Sequence, residues 1–210
     1  FATGGEALIA DVALEGTSKM SIDFVVRGEI PNIKKSGKWF KVNMVSLPKL
    51  KINIAGGIDR KKVSFRKSSV AVNGSSLNFS GSYDWSKNVP VLKANFSSDM
   101  INLYKSFPEW YGVGREWIHP NRDLNIFHDM PLFGQFLYNA DADVNVNLKH
   151  FIVYRSLDLS NMDVKLKVKA HKVHADINLG IGAGKLKAVL DSDIYKNGMY
   201  DAAFAAVGND

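Results

Sequence analysis

The chain has 210 residues, of which 46% are hydrophobic and 23% charged, and its formal net charge is +6. This balance is typical of a globular protein, and 12 Phe, 7 Tyr and 4 Trp exclude a disordered chain. The lack of cysteine excludes disulfide scaffolds, iron–sulfur clusters, cysteine-rich zinc sites and thiol catalysis. The start at Phe1 has neither an initiator Met nor a signal-like pattern, so we expect a fragment or a processed form.

Apolar and polar residues alternate with period two along most of the chain. In one segment Val144, Val146 and Leu148 alternate with Asn145 and Asn147. Such alternation is typical of strands with one buried and one solvated face, whereas a helical period would place the intervening polar residues in a core. By this criterion the sequence predicts about twelve strands. They cover residues 7–14, 20–27, 38–46, 49–55, 63–71, 75–82, 89–97, 140–151, 161–168, 172–179, 184–192 and 202–207.

Short segments of turn-forming residues separate most of these strands, among them Asn73-Gly74 and residues 196–198. Successive strands should therefore pair as hairpins, and the lack of helical crossovers argues against parallel pairing. The sequence predicts a mainly β fold: a large curled antiparallel meander sheet, shaped as an open groove or a flattened half-barrel. We expect one β domain over 1–210, with strand-rich parts at 1–98 and 140–210.

Residues 99–139 lose the alternation and are rich in aromatic residues. Asp99 is a candidate N-cap for a short helix that ends before Pro108, and a second short helix is predicted from Pro131 to Tyr138. The aromatic residues favour a segment packed by its own side chains. We therefore expect this insertion to cap or plug one end of the sheet.

Little in the sequence points to catalysis or to metal binding. His171 and His174 would face opposite sides of a strand, so they should not share a metal. The carboxylate pairs Asp141/Asp143 and Asp191/Asp193 are best explained as outward-facing strand charges. The glycine-rich residues 180–184 precede a strand instead of a helix, which favours a turn or bulge over a phosphate site. We expect no enzyme activity, no cofactor and no metal.

Basic residues are concentrated between Lys34 and Lys67. This stretch contains eleven of them and a single acidic residue, Asp59. Lys41, Lys49 and Lys51 alternate with apolar residues and should point away from the apolar face. They are our candidates for a rim that contacts lipid headgroups. The simpler interpretation is a solvated sheet face, since lysine commonly keeps strand edges soluble and unpaired. The few aromatic residues among these strands argue against nucleic-acid binding.

Two blocks of sequence resemble the C-terminal region of the AsmA family. One block joins Phe136–Leu148, with its Asp-Ala-Asp run and alternating strand, to Tyr154–Val168, which holds Leu-Asp-Leu-Ser-Asn before another alternating strand. The other joins the Gly-Ser-containing strand Ser76–Trp85 to the Pro-Val-Leu strand of Val89–Leu103. The resemblance covers residues 63–192 and includes an aromatic-rich linker between the blocks.

This resemblance implies a periplasmic protein, tethered to the inner membrane by an N-terminal helix that would precede residue 1. AsmA-like proteins take part in outer-membrane biogenesis and resemble bridge-like lipid-transfer proteins, which hold phospholipid tails in a groove of curled sheet. The family has no known catalytic residues to carry over. The expected partners are phospholipid and envelope proteins.

The alternating residues around the Asp-Ala-Asp run supply the lipid-facing candidates. They are Ala142, Val144, Val146, Leu148, Met162, Val164, Leu166 and Val168. A dozen residues separate the two halves of this set, so we expect them to pair as a hairpin and to share one surface. The sheet can bury its apolar face in a sandwich, in a closed barrel or in a trough around lipid chains. A non-enzymatic β-sandwich used in structure or assembly therefore remains the alternative.

Overall fold

A computed structural model describes residues 9–16, 21–32, 48–106, 138–154, 157–194 and 200–209. Within these ranges the chain forms twelve strands and one single-turn helix, α1, at Leu103–Ser106. The strands are β1 Ile9–Gly16, β2 Ile22–Asn32, β3 Pro48–Asp59, β4 Lys62–Val72, β5 Ser75–Asp84, β6 Val91–Ser98, β7 Ile101–Asn102, β8 Asp141–Tyr154, β9 Leu157–Lys169, β10 Lys172–Ile181, β11 Gly184–Ile194 and β12 Tyr200–Asn209.

All twelve strands belong to one sheet, and eleven of them follow the order of the chain from β1 to β12. The two-residue strand β7 lies off this path and pairs with β8. Neighbours pair antiparallel everywhere except between β6 and β8 and between β7 and β8. The predicted mainly β, antiparallel meander is confirmed, and the sheet is open, with β1 and β12 as its edges.

The expectation that no strands pair in parallel is wrong at one place. β6 and β8 are parallel neighbours, from Val91 beside Asp141 to Ser98 beside Leu148, and β7 continues the parallel pairing with β8. Residues 99–140 separate the two strands, which is long enough to bring the chain back to the end of the sheet where β6 began. The alternation of side chains is the same in parallel and antiparallel strands, so it could not reveal this pairing.

The insertion differs in detail from the sequence-based expectation. α1 is capped by Asn102, whose Oδ1 accepts the N–H of Lys105 at 2.9 Å, and not by Asp99. Asp99 instead forms an ion pair with Lys149 at 2.7 Å. Tyr138 is helical, while the rest of the helix predicted from Pro131 lies outside the described residues. The strand predicted at 38–46 also lies outside them, and β2 pairs directly with β3.

Two tight turns explain how the hairpins keep their register. Asn73 and Gly74 both have positive φ (46° and 83°), as a two-residue hairpin turn of the I′ type requires. Ala170 and His171 adopt the same geometry without glycine, with φ of 49° and 68°. The second turn is held by its neighbours: Asp141 accepts the N–H of Ala170 at 3.1 Å, and the ring of His171 stacks on Tyr138 at 4.0 Å.

A bulge in β4 keeps apolar residues on one side of the sheet. The pairing of β4 with β5 shifts between Phe65 and Ser68. On β4, the residues that project from the apolar side of the sheet therefore have odd numbers up to Phe65 and even numbers from Ser68 onwards. Ser68 is fully buried there, and its Oγ accepts the N–H of Ala55 at 3.1 Å and donates to the carbonyl of Arg66 at 2.7 Å. The serine hydroxyl thus provides hydrogen-bond partners for backbone groups beside the bulge, where the strand pairing is interrupted.

Candidate functional site

The eight lipid-facing candidates lie on one face of the sheet as four cross-strand pairs between β8 and β9. The pairs are Ala142 with Val168, Val144 with Leu166, Val146 with Val164, and Leu148 with Met162. Directly opposed residues project from the same face of a sheet, so the predicted hairpin and its shared surface are confirmed. We call this side of the sheet the apolar face.

The apolar face continues in both directions across neighbouring strands. Val146 also pairs with Phe96 of β6, and Val164 pairs with Ile177 of β10, which in turn pairs with Ala188 of β11. On the other side, Phe96 pairs with Phe79 of β5. From β2 to β11, therefore, one side of the sheet is lined mainly by aliphatic and aromatic residues.

A row of four phenylalanines forms the part of this face that sequence reasoning did not select as a site. Phe24, Phe65, Phe79 and Phe96 come from four different strands, and successive ring centroids are 6.2, 6.0 and 6.5 Å apart. These separations fall in the favourable range for aromatic pairs. The signal was present in the sequence, since Leu77, Phe79 and Gly81 alternate with Asn78 and Ser80.

Gly56 allows the first two rings of this row to meet across an intervening strand. It lies between Phe24 on β2 and Phe65 on β4, and pairs with both. A Cβ at this position would fall 2.2 Å from the backbone oxygen of Ser64 and 2.6 Å from Cζ of Phe24. The ring of Phe24 therefore packs directly against the backbone of Gly56, which only a residue without a side chain permits.

The ends of the apolar face are closed around β8 and β9. At one end Ala142, Val168 and Ile194 form a buried cluster against which Tyr138 packs. At the other end Leu148 and its partner Ser98 are buried, close to the point where β7 and α1 leave the sheet. Three of the eight candidates, Ala142, Leu148 and Val168, are thus packing residues.

The other five candidates are only half-buried, and all of them except Met162, which pairs with Leu148, lie between these closed ends. They are Val144, Val146, Met162, Val164 and Leu166. The four phenylalanines of the aromatic row are likewise half-buried. The middle of the apolar face is therefore in contact with solvent.

The burial of the described side chains leads to the same conclusion. Among the described residues, seven apolar side chains fall in the buried class, and four of these are alanine. The described residues therefore provide no second packed layer of the kind that ordinarily covers an apolar sheet face.

A small buried polar network fixes the sheet near α1. The Oγ of Ser75 accepts the N–H of Asn102 at 2.8 Å and lies 2.7 Å from the Oγ of Ser106. All three residues are buried, and Ser106 also donates to the carbonyl of Val72 at 3.4 Å. Because these hydroxyl and N–H groups have partners, their hydrogen bonds offset the cost of desolvation, and the network ties the helix to the β4–β5 hairpin.

The headgroup candidates are only partly within the described residues. Lys51 is exposed on the polar face, opposite the apolar one, and lies 3.9 Å from Glu29. Lys41 lies outside the described residues, as does the side chain of Lys49. Lys51 therefore points away from the apolar face, as its alternation predicts.

Charges on the polar face have local partners. The imidazole of His174 donates from Nδ1 to Asp191 at 2.7 Å, and this hydrogen bond raises the pKa of His174. Lys172 reaches Asp193 at 3.0 Å. Among the described residues, no group of three or more His, Asp or Glu side chains has a geometry that could hold a metal. Within the glycine-rich residues 180–184, residues 182–183 form the turn between β10 and β11, as predicted, and Gly182 has a positive φ of 59°.

Comparison with known proteins adds no relative. No family model matches the chain, and neither a curated protein nor a solved structure matches it. Within the described part of the chain, no helix has the length and hydropathy needed to cross a bilayer.

Proposed function

We propose that this chain binds the acyl chains of phospholipid on its apolar face, as the periplasmic part of an AsmA-like envelope protein. In this proposal the full-length protein is tethered to the inner membrane and handles or conducts phospholipid for outer-membrane biogenesis. The geometry of the described sheet supports the binding of acyl chains. The envelope role, the tether and the periplasmic location are supported by the sequence resemblance over residues 63–192.

The observation that carries the proposal is the extent of the half-buried apolar face. Nine strands from β2 to β11 along the sheet path, at about 4.8 Å per spacing, extend the face over roughly 40 Å. Along β8 the distance from Ala142 to Leu148 is about 20 Å, at about 3.3 Å per residue. Soluble monomers rarely expose a contiguous apolar patch larger than a few hundred Å². A face of this size requires a cover, and fatty acyl chains are apolar, flexible and long enough to lie along it.

A sandwich used in structure or assembly is the competing proposal. It requires a second sheet packed about 10 Å from the first. All the described strands belong to one sheet, so the described residues provide no such layer. A partner protein would have to supply it, and such a partner would leave the face free of lipid.

The lack of cysteine in the sequence permits a direct test. Val146→Cys and Asn147→Cys place a single thiol on neighbouring residues of β8 that project from opposite faces. Each variant is labelled with an environment-sensitive fluorophore and titrated with a short-chain phosphatidylglycerol below its micelle concentration. We expect a blue shift at position 146 and no change at position 147, because only the first label would meet acyl chains.

Native mass spectrometry before and after organic extraction provides the second readout. Phospholipid bound to the purified chain and removed by extraction would support the proposal. Equal responses at positions 146 and 147, together with no bound lipid, would refute it. A co-purified protein seated on the face in place of lipid would favour the structural alternative.

A further inference from the structure

Two hairpin loops meet at one end of the sheet, on the strands from β3 to β6, and are held together. The β3–β4 turn, at Arg60 and Lys61, lies beside the loop that leaves β5 at Trp85. The backbone N–H of Trp85 donates to the carbonyl of Lys61 at 2.9 Å, and the indole N–H donates to the carbonyl of Arg60 at 3.1 Å. We call residues 58–62 and 84–91 together the tip. These bonds orient the indole ring at the surface.

The tip exposes apolar side chains that border the apolar face. Trp85 is 40% exposed, Val89 49% and Ile58 45%. Ile58 is the cross-strand partner of Ile22, which is 48% exposed, and both continue the row of residues on the apolar face. Unlike the closed ends of β8 and β9, the apolar face is therefore open to solvent where it reaches the tip.

The same loops carry a surplus of positive charge. The tip has four basic residues and two acidic ones. The basic residues are Arg60, Lys61, Lys62 and Lys87, and the acidic residues are Asp59 and Asp84. Both carboxylates are engaged within their own loops, because Asp59 accepts the N–H of Lys61 at 2.8 Å and Asp84 accepts the N–H of Ser86 at 2.9 Å. Asp84 also lies close to Lys62 and Lys87. With four basic residues and two carboxylates, the tip keeps a net positive charge.

Exposed apolar residues alone do not distinguish the tip. The opposite end of the sheet also exposes Met100, Leu157 and Ile181. The loops described there, at 73–74, 99–106 and 182–183, carry one lysine and one aspartate between them. Apolar side chains and surplus cations thus coincide at the tip, and this combination is typical of surfaces that enter the interfacial layer of anionic membranes.

We propose that the tip docks onto an anionic phospholipid bilayer, with Trp85 and Val89 inserted at the headgroup level and Lys61 and Lys87 close to lipid phosphates. Ile22 and Ile58 then bring the open end of the apolar face to the membrane. The proposal deepens the proposed function, since it identifies the place where acyl chains would enter or leave the face. Docking itself does not depend on acyl-chain binding and can be tested separately.

The test compares two variants with the same change in net charge. Lys61→Gln with Lys87→Gln alters the tip, while Lys165→Gln with Lys167→Gln alters exposed lysines on the polar side of β9. Sedimentation with vesicles of phosphatidylcholine, alone or mixed with phosphatidylglycerol, measures the partition coefficient. Since each basic residue near an anionic surface contributes about 1 kcal/mol, we expect the tip variant to bind anionic vesicles at least about tenfold more weakly than wild type. The β9 variant should lose less than about twofold.

Tryptophan fluorescence tests the orientation of the docked tip. Brominated phosphatidylglycerol should quench the wild-type emission, and Trp85→Phe should abolish most of that quenching because it removes the inserted indole. Circular dichroism of each variant checks that the sheet is retained. Raising the salt concentration should weaken binding of the wild type, as expected for attraction between exposed charges.

Several results would overturn docking. They are equal binding to neutral and anionic vesicles, equal loss in the two lysine variants, or quenching that persists without Trp85. Tighter binding to single-stranded DNA than to anionic vesicles, lost in the same tip variant, would assign the cations to nucleic acid. If the label at position 146 responds to lipid but the chain does not bind vesicles, docking is refuted and the proposed function stands. If the chain binds vesicles but the label does not respond, the proposed function is refuted and docking stands.

Discussion

Replacing Val146 by Asp distinguishes an open apolar face from a covered core. Val146 is half-buried between Phe96 and Val164, so about half of the 1.5–3 kcal/mol for burying a valine side chain is at stake. The lower β propensity of Asp and the partial desolvation of its carboxylate add to this loss. We therefore expect Val146→Asp to lower the free energy of unfolding by about 2 to 3 kcal/mol, measured by urea denaturation, and to deplete co-purified phospholipid.

Two further variants complete this experiment. Asn145→Asp adds the same charge on the polar face opposite Lys165, and should change the stability by less than about 0.5 kcal/mol with lipid retained. Val168→Asp places the charge at a side chain that is 2% exposed, so it should cost more than about 4 kcal/mol or prevent folding. If Val146→Asp costs as much as Val168→Asp, the face is covered and the argument from its exposure fails. If it costs no more than Asn145→Asp and lipid is unchanged, the faces are assigned in reverse.

Three more predictions follow from individual contacts, and urea denaturation checks the first two. Gly56→Ala should lower the free energy of unfolding by about 1 to 3 kcal/mol, because the new methyl group has no room. In the control Gly208→Ala, the methyl group meets nothing within 4 Å, so the change should be nearly neutral. Equal effects of the two variants would contradict the close packing of the aromatic row at Gly56. Asn102→Ala removes the cap of α1 and should cost about 1 kcal/mol, so an unchanged midpoint would count against the cap. The raised pKa of His174 means that its stabilising effect is complete below the unfolded-state pKa, near 6.5, and is lost as the pH rises through the higher folded-state value. In an NMR titration, Asp191→Asn should move the midpoint of His174 downwards, and an unmoved midpoint would exclude their hydrogen bond as the cause.

The sequence was sufficient to predict every described strand except the two-residue β7, because period two is set locally by the backbone. The β8–β9 register followed from the same pattern, since a slip by one residue would have placed Lys165 and Lys167 on the apolar face. The parallel pairing of β6 with β8 could not be predicted in this way. Which strands become neighbours across a long connection depends on where the chain returns, and alternation contains no information about that.

The sequence predicted on which side of the sheet the candidate residues lie, but not how deeply each of them is buried. The pattern treats Val144 and Val168 alike, yet only Val168 is buried, because Ile194 and Tyr138 lie near it and come from distant parts of the chain. The aromatic row was missed for a similar reason. Phe24 and Phe65 contact each other only because Gly56 lies between their strands, and no local pattern in either strand reveals a glycine in a third.

The closed and open ends of the apolar face indicate how a ligand on it would run. Around β8 and β9 the face is bounded along the strand direction, by the Ala142–Val168–Ile194 cluster at one end and by Leu148 at the other. Across the strands it continues without such a boundary through the aromatic row, and near β2 and β3 it opens at Ile22 and Ile58. An elongated apolar ligand would therefore lie across the strands, because that direction keeps it in contact with half-buried side chains over its whole length. Its path would lead towards the end of the sheet where the tip lies. The proposed acyl-chain surface and the proposed membrane contact are thus linked by continuity of the same face.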